Sequence, residues 1–231
     1  MAKRPVFIPQ LDGPTFVDEP VIEFTWYPGF SKTQAQKSIN SLHSAASEIG
    51  IVPILEISSK SSDPVGIALS AFNLKIFTKA RKMSVECAFQ GSKIFMKGGP
   101  FIDLYEATSR NAKTDDRIRN SGPLIEFDFL GDKFPTKPMT AFYDWLYIFA
   151  LSQNPFLHQN LERFHAFSDI AFNPDKSINC QARSAALFVA IRKKGLLEHV
   201  LEDKNFYLKL ITNENNSSLG NKGQSKQLKL Y

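Results

Sequence analysis

The sequence predicts a mixed α/β (α+β) fold, helix-rich and organised as one compact domain, and three observations carry that expectation. Ile51 to Ile57 is a run of branched apolar residues suited to a buried strand, whereas Ala35, Ile39, Leu42, Ala46 and Ile49 recur at helical spacing. Ile125, Phe127 and Phe129 alternate with Glu126 and Asp128, the pattern of a half-buried strand. Thr140 to Leu151 (TAFYDWLYIFAL) is apolar almost all round, which predicts a central buried helix.

The elements follow in order. Residues 1–22 alternate prolines with apolar residues, the pattern of an extended arm lying over the domain. Phe24, Trp26, Tyr27 and Phe30 then cluster before a Pro28-Gly29 turn. Because a strand-like FTWY runs straight into a helix, this cluster is expected to fill core; the alternative is exposed rings that stack on bases. Ser31 opens the helix with Gln34 as its capping-box partner, and Gly50 closes it. SSKSSDP forms a loop, Ile67 to Phe72 a helical turn, and Leu74 to Phe77 a strand. A short helix is expected near Phe101 to Ala107, and Gly131-Asp132 marks a turn after the alternating strand. Asn154-Pro155 caps a further helix, and Asn173-Pro174-Asp175 leads into the last strong one, from about Asn179 to Lys194, stopped by Gly195. Beyond Ile211 the chain, 212–231, lacks the apolar surface to order itself and reads as a flexible tail. Asp144 is the one charge in the central helix, and burial demands a partner for it.

Composition excludes several classes. No run of about 18 apolar residues suggests a membrane span, and MAKRPVFIPQ lacks the apolar core of a signal peptide. Two cysteines, Cys87 and Cys180, suit a reducing, cytoplasmic setting. The four histidines have no metal-ligand spacing, and no Walker loop, dinucleotide glycine run or nucleophile elbow is present, so neither metal nor cofactor is expected. A formal net charge of +5 permits attraction to phosphates without requiring it.

Met83 to Phe95, MSVECAFQGSKIF, is the stretch around which chemistry gathers. With Ser84 as N-cap, Glu86, Gln90 and Lys93 fall at i, i+4 and i+7 on one helical face. That stripe suits either catalysis or a solvated polar face with a Glu–Lys pair. The run resembles the signature helix of the NADAR (YbiA-like) domain family, which reads W/Y-P-T-S-E-H-x-x-Q-A-x-K-F. Two more segments resemble that family in the same order. Ser59 to Phe72 is similar to its F-Y-K-x-x-x-P-Y-G-x-F-S-N-F run, with Lys60 on the lysine, Gly66 on the glycine and Ser70 and Phe72 within F-S-N-F. Phe167 to Ala182 is similar to its late W-G-D…G-x-N-x-L-G run, with Asp169 and Asn179 on the aspartate and asparagine. Cys87, Ala71 and Ala182 depart from the usual histidine, asparagine and glycine.

The resemblance implies a compact fold that binds ADP-ribose and, in the branch with an N-terminal extension and a SINCQARS-like motif, an antitoxin paired with a DarT-type DNA ADP-ribosyltransferase toxin. Residues 1–50 would then be an extension packed on the core, 51–211 the NADAR-like catalytic domain, and about 97–138 an insertion. The implied reaction removes ADP-ribose from ADP-ribosylated guanine in DNA. Glu86 would do acid–base work, and Lys60 would attack a ring-opened ribose or hold the substrate. Ser70, Phe72, Gln90, Lys93, Asp169 and Asn179 would line the site, with Lys176 and Arg183 on the diphosphate at a helix start. Lys79 to Lys82 and Arg110 to Arg119 are the cations expected to meet DNA phosphates. Two alternatives remain open: a non-catalytic ADP-ribose-binding module, and an antitoxin that binds its toxin directly.

Overall fold

The computed structural model of the protein describes residues 1–12 and 15–219. Its N-terminal part is a set of short strands, β1 (Ala2–Pro5), β2 (Ile8–Pro9), β3 (Val17–Asp18) and β4 (Val21–Phe24), laid against helix α1 (Lys32–Ser47). β1 pairs antiparallel with β4 and β2 with β3. Ile22, Phe24, Ile39, Leu42 and Ala46 close a small apolar cluster there, together with Ala166 and Ile170 from later in the chain. Ser31 caps α1 by accepting from the Gln34 amide, but the Gln34 side-chain oxygen is buried without a partner among the described residues, so only half of the capping box forms.

The segment that carries the first motif is β5 (Ile54–Glu56) followed by α2 (Pro64–Ala68). β5 is shorter than the predicted run because its parallel partner β11 (Ala166–Ser168) offers only three residues. A hairpin, β6 (Lys75–Phe77) and β7 (Lys82–Ser84), delivers the chain to α3 (Val85–Gly91). α3 ends two residues before Lys93, which corrects the expected single helix over the whole run. Ser92 bonds back to the Ala88 carbonyl and Lys93 opens β8 (Lys93–Phe95), paired with Phe127. Cross-strand pairing overrides the helical periodicity there.

A 3-10 turn (Ile102–Glu106), α4 (Ser109–Thr114) and α5 (Asp116–Asn120) lead into β9 (Leu124–Phe129) and β10 (Asp132–Pro135). Leu130 (φ 57) and Gly131 (φ 99) make the two-residue turn between these strands, both in the left-handed region that such hairpins require. α6 (Ala141–Ser152) is buried on nearly every side, as its composition predicts. Phe142 stacks on Phe127 at 4.4 Å between ring centroids, and Phe89 meets Tyr143 edge-on at 5.2 Å. α7 (Pro155–Leu161), α8 (Gln181–Lys193) and α9 (Leu197–Glu202) complete the main core, with α8 packed along α6. The result is a mixed α+β fold.

α10 (Lys204–Leu219) carries helical backbone through residues 212–219 of the segment expected to lack order. Residues 220–231 of that expected tail lie outside the described residues. Among the described residues, no helix is long and apolar enough to cross a membrane.

The aromatic cluster before α1 corrects another expectation. Phe24 is buried, but Trp26 and Tyr27 are each 39% exposed and Phe30 is fully exposed. β4 ends at Phe24, so the chain leaves the core just where the remaining rings begin.

Candidate active site

Three segments far apart in sequence meet around one cavity of about 280 Å³. The turn after β5 brings Ser58 and Lys60, the turn after α2 brings Ser70, Ala71 and Phe72, and the first turn of α3 brings Glu86. Asp169, just after β11, and Asn179 and Gln181, at the start of α8, close the far wall. Backbone bonds lock these pieces together. The Glu86 amide donates to the Ala71 carbonyl (3.0 Å), and the Ala71 amide donates to Gln181 Oε1 (2.8 Å). Gln181 Nε2 in turn donates to the Ile57 carbonyl (2.6 Å), so one side chain ties the late motif to both ends of the first, and Ala71 passes the connection on to α3. Gly66 makes this approach possible: a Cβ there would collide with the Glu56 carbonyl and lie 2.5 Å from Ser61 Oγ.

The cavity carries both signs of charge. Glu86 is buried at one side, with its Oε1 accepting from Gln90 Nε2 (2.9 Å). Lys60 stands at the mouth with its carbonyl held by Gln36. Lys113, from α4, reaches the rim with its Nζ 5.3 Å from the Phe72 ring centroid. Phe72 and Phe172 supply apolar walls. Asn179 Oδ1 is buried and accepts no hydrogen bond from the described residues, leaving a free acceptor at a cavity-lining residue.

Behind the wall lies a set of buried titratable groups. Glu56 accepts from the Ser168 hydroxyl (2.6 Å) and the Ile170 amide (3.0 Å), and His43 Nε2 is 2.8 Å from the same hydroxyl. Burial, then repulsion from Asp169, pushes the Glu56 carboxyl well above the ordinary carboxylate range. Burial also pushes Asp169 up, opposed by hydrogen bonds from Ala171, Gln181 and Phe172. The pair therefore keeps a proton near neutral pH rather than carrying two charges. Burial lowers His43 to about 4, so its ring is neutral. Lys93 is buried beneath α3 with its Nζ 4.7 Å from the Phe89 ring centroid. Burial lowers its ammonium to about 8 against the attraction of Glu86, while Lys113 lowers it further.

Of the ten site residues expected from sequence, Lys60, Ser70, Phe72, Glu86, Asp169 and Asn179 line the cavity. Gln90 and Lys93 stand one layer behind, touching Glu86 by a hydrogen bond and by charge. Lys176 is exposed and outside the lining. Arg183 does not converge on the cavity; it bonds to Glu19 (2.9 Å) and Asp144 (3.1 Å). That pair is also the partner that the buried Asp144 demanded, with Ser184 donating to it at 2.5 Å. Of the cations expected on DNA, Arg117 is spent on Asp103 and Asp115, and Arg81 lies 3.7 Å from Glu106.

Sequence reasoning passed over Lys113, Tyr143 and Gln181 as site residues, and Glu56 and His43 behind them. Lys113 was visible only as one cation among interleaved acids, and Tyr143 was hidden within an all-apolar helix. Cys87 is turned away from the cavity, its thiol donating to the Ala107 carbonyl (3.2 Å), whereas Ala71 lines it. Among the described residues, no group of three His, Cys, Asp or Glu side chains is placed to hold a metal.

A family model described as the DarT1-associated NADAR antitoxin matches residues 2–220, running through the N-terminal strands, the 97–138 segment and the start of the tail alike. None of the curated proteins compared with the chain matches it.

Proposed function

The chain belongs to the DarT1-associated NADAR antitoxin family, and on that premise we propose that it hydrolyses the N-glycosidic bond joining ADP-ribose to guanine in DNA. The observation that carries this reading is the meeting of Lys60, Glu86 and Asp169, over a hundred positions apart, around one cavity. As an antitoxin, it would thereby restore the base that its partner toxin modifies.

Hydrolysis adds water across the bond: the ribose anomeric carbon gains a hydroxyl, and the guanine amine regains its hydrogen. Positive charge develops on the ribose as the bond breaks, and the departing amine needs a proton. Glu86, buried on the cavity wall and oriented by Gln90, is suited to both in turn: its acid form gives the amine a proton, and the carboxylate left behind faces the charged ribose and takes the proton of the attacking water. Lys60 lines the same cavity, and its amine would meet either the ribose or the diphosphate. With Arg183 committed to Glu19 and Asp144, Lys60 and Lys113 are the cavity cations left for the diphosphate. Asp169 and the free Asn179 oxygen fit the ribose hydroxyls. At about 280 Å³ the cavity falls just below the usual span of small-molecule sites (about 300–1,000 Å³), room for the ribose and its immediate neighbours. The rest of the ligand extends past the mouth.

A non-catalytic ADP-ribose reader uses the same cavity, and Ala71 in its lining is the departure that favours it. Glu86→Gln separates the readings. It keeps size and hydrogen bonding but not acid–base function, so ADP-ribose release from guanine-modified DNA should fall by about 100-fold or more with ADP-ribose binding retained. Unchanged release in that variant removes Glu86 from the chemistry. Absence of release by the native protein, with ADP-ribose still bound, selects the reader.

A further inference from the structure

The proposed reaction leaves three exposed aromatic rings unused. Trp26, Tyr27 and Phe30 lie within five residues, and Phe30 is 104% exposed, so none of its ring is used in packing. Scattered exposed apolar residues are ordinary, but three rings on one loop beside cations are not. The loop is held in place rather than hanging free. The Tyr27 amide donates to Ser38 Oγ (2.9 Å), and the Thr25 amide donates to Ser41 Oγ (3.1 Å). Phe24 braces Trp26 edge-on at 6.3 Å, and the Arg4 guanidinium sits 5.6 Å from the Trp26 ring centroid.

The loop is also tied to the cavity. α1 begins at Lys32, two residues after Phe30, and Gln36 on that helix donates to the carbonyl of Lys60, which lines the cavity. Gln36 stands about one turn into α1, so the Lys60 turn lies against the same end of the helix that the ring-bearing loop leads into. Lys32 lies one turn before Gln36 and on the same face. The groove beside α1 that Thr25 and Tyr27 help to line contains Glu23 and Glu48 as well as Lys37 and offers phosphates no net attraction, which leaves the Phe30 and Lys32 side of the loop for the strand.

We infer that the loop 25–31 is a stacking platform for bases of single-stranded DNA flanking the guanine held in the cavity, with Lys32 along its phosphates. The inference rests on the hydrolase reading for the identity of the ligand, and it deepens that reading by assigning the strand a path. An enzyme acting on a base needs that base out of the stack, and aromatic faces hold neighbouring bases without reading their sequence.

The test measures fluorescence anisotropy of a labelled, unmodified single strand of about twelve nucleotides at about 0.15 and 0.5 M salt. Phe30→Ala should weaken binding about tenfold, and the loss should persist at the higher salt because stacking is not a counterion effect. Phe30→Trp should restore it, and Trp26→Ala should add to the loss. Free ADP-ribose binding and release of ADP-ribose from modified guanosine should stay as in the native protein. A side chain this exposed cannot be removed at the expense of the core. Equal affinity of Phe30→Ala and native protein for the strand overturns the platform, as does loss of toxin binding with strand binding intact. If the native protein holds DNA through these rings yet releases no ADP-ribose, the hydrolase reading fails while the platform stands.

Discussion

Lys93→Met should make the protein more stable at neutral pH and less able to turn over its substrate. The Lys93 ammonium is buried under α3, and burial brings it from an ordinary 10.5 down to about 8. At about 1.4 kcal/mol per tenfold change in proton affinity, holding that charge indoors costs about 3 kcal/mol at pH 7. Its position over the Phe89 ring offsets about 1 kcal/mol of what methionine would recover. Methionine has similar length and no charge, so the net expectation is about 2 kcal/mol of added stability at pH 7. The sign follows from proton counting. Below pH 8 both folded and unfolded lysine are charged, and the cost is present in full. Above about 8 the folded chain sheds the proton while the unfolded chain keeps it up to about 10.5, so native stability recovers. The advantage of Lys93→Met over native protein should therefore fade between pH 8 and 10.5. Urea denaturation of both proteins at pH 7 and pH 10 measures this, because other titrating groups cancel in the difference. ADP-ribose release should drop by tenfold or more as Glu86 loses the positive charge behind it. A variant less stable at pH 7, or one whose advantage is the same at both pH values, refutes the reasoning.

Asp144→Ala removes the acceptor of Ser184 and one anchor of Arg183 inside the core, and breaking a buried pair should cost about 3–5 kcal/mol in urea denaturation; a loss under about 1 kcal/mol shows the pair to be idle. Gly66→Ala drives a methyl into the Glu56 carbonyl and Ser61, so a loss of about 1–3 kcal/mol in thermal unfolding is expected, along with weaker ADP-ribose binding as the Lys60 turn shifts; native melting and binding would show that the backbone gives way freely. Glu56 has a raised folded pKa, so the stability it contributes is present below the ordinary carboxylate range and is lost as pH rises through about 8. Native protein should then lose stability between pH 5 and 8, and Glu56→Gln, which cannot ionise, should lose distinctly less; parallel curves would place the titration elsewhere.

The sequence by itself determined the elements whose signals are local. The α6 run is apolar on every side, and no tertiary arrangement puts such a helix at the surface. The Ser31 and Ser84 caps, the alternation in β9 and the turn at Gly131 each depend on neighbours a few residues away, and each appears where the pattern puts it. Lys60, Glu86 and Asp169 were legible as well, but only through their motifs, since nothing local distinguishes a loop lysine at a cavity mouth from any other. What tertiary structure alone decided was every matter that rests on contacts distant in sequence. α3 stops at Gly91 because Lys93 finds a strand partner in Phe127. Arg183 is lost to the diphosphate because Glu19, 164 residues away in sequence, and Asp144 hold it. Trp26, Tyr27 and Phe30 face solvent because β4 ends at Phe24, although their composition reads as core. Lys113 reaches the cavity rim, and Glu56 shares its burial with Asp169, through packing that no spacing encodes. Charge and apolarity are properties of a residue, but what they do depends on the neighbours that the fold brings within a few ångströms.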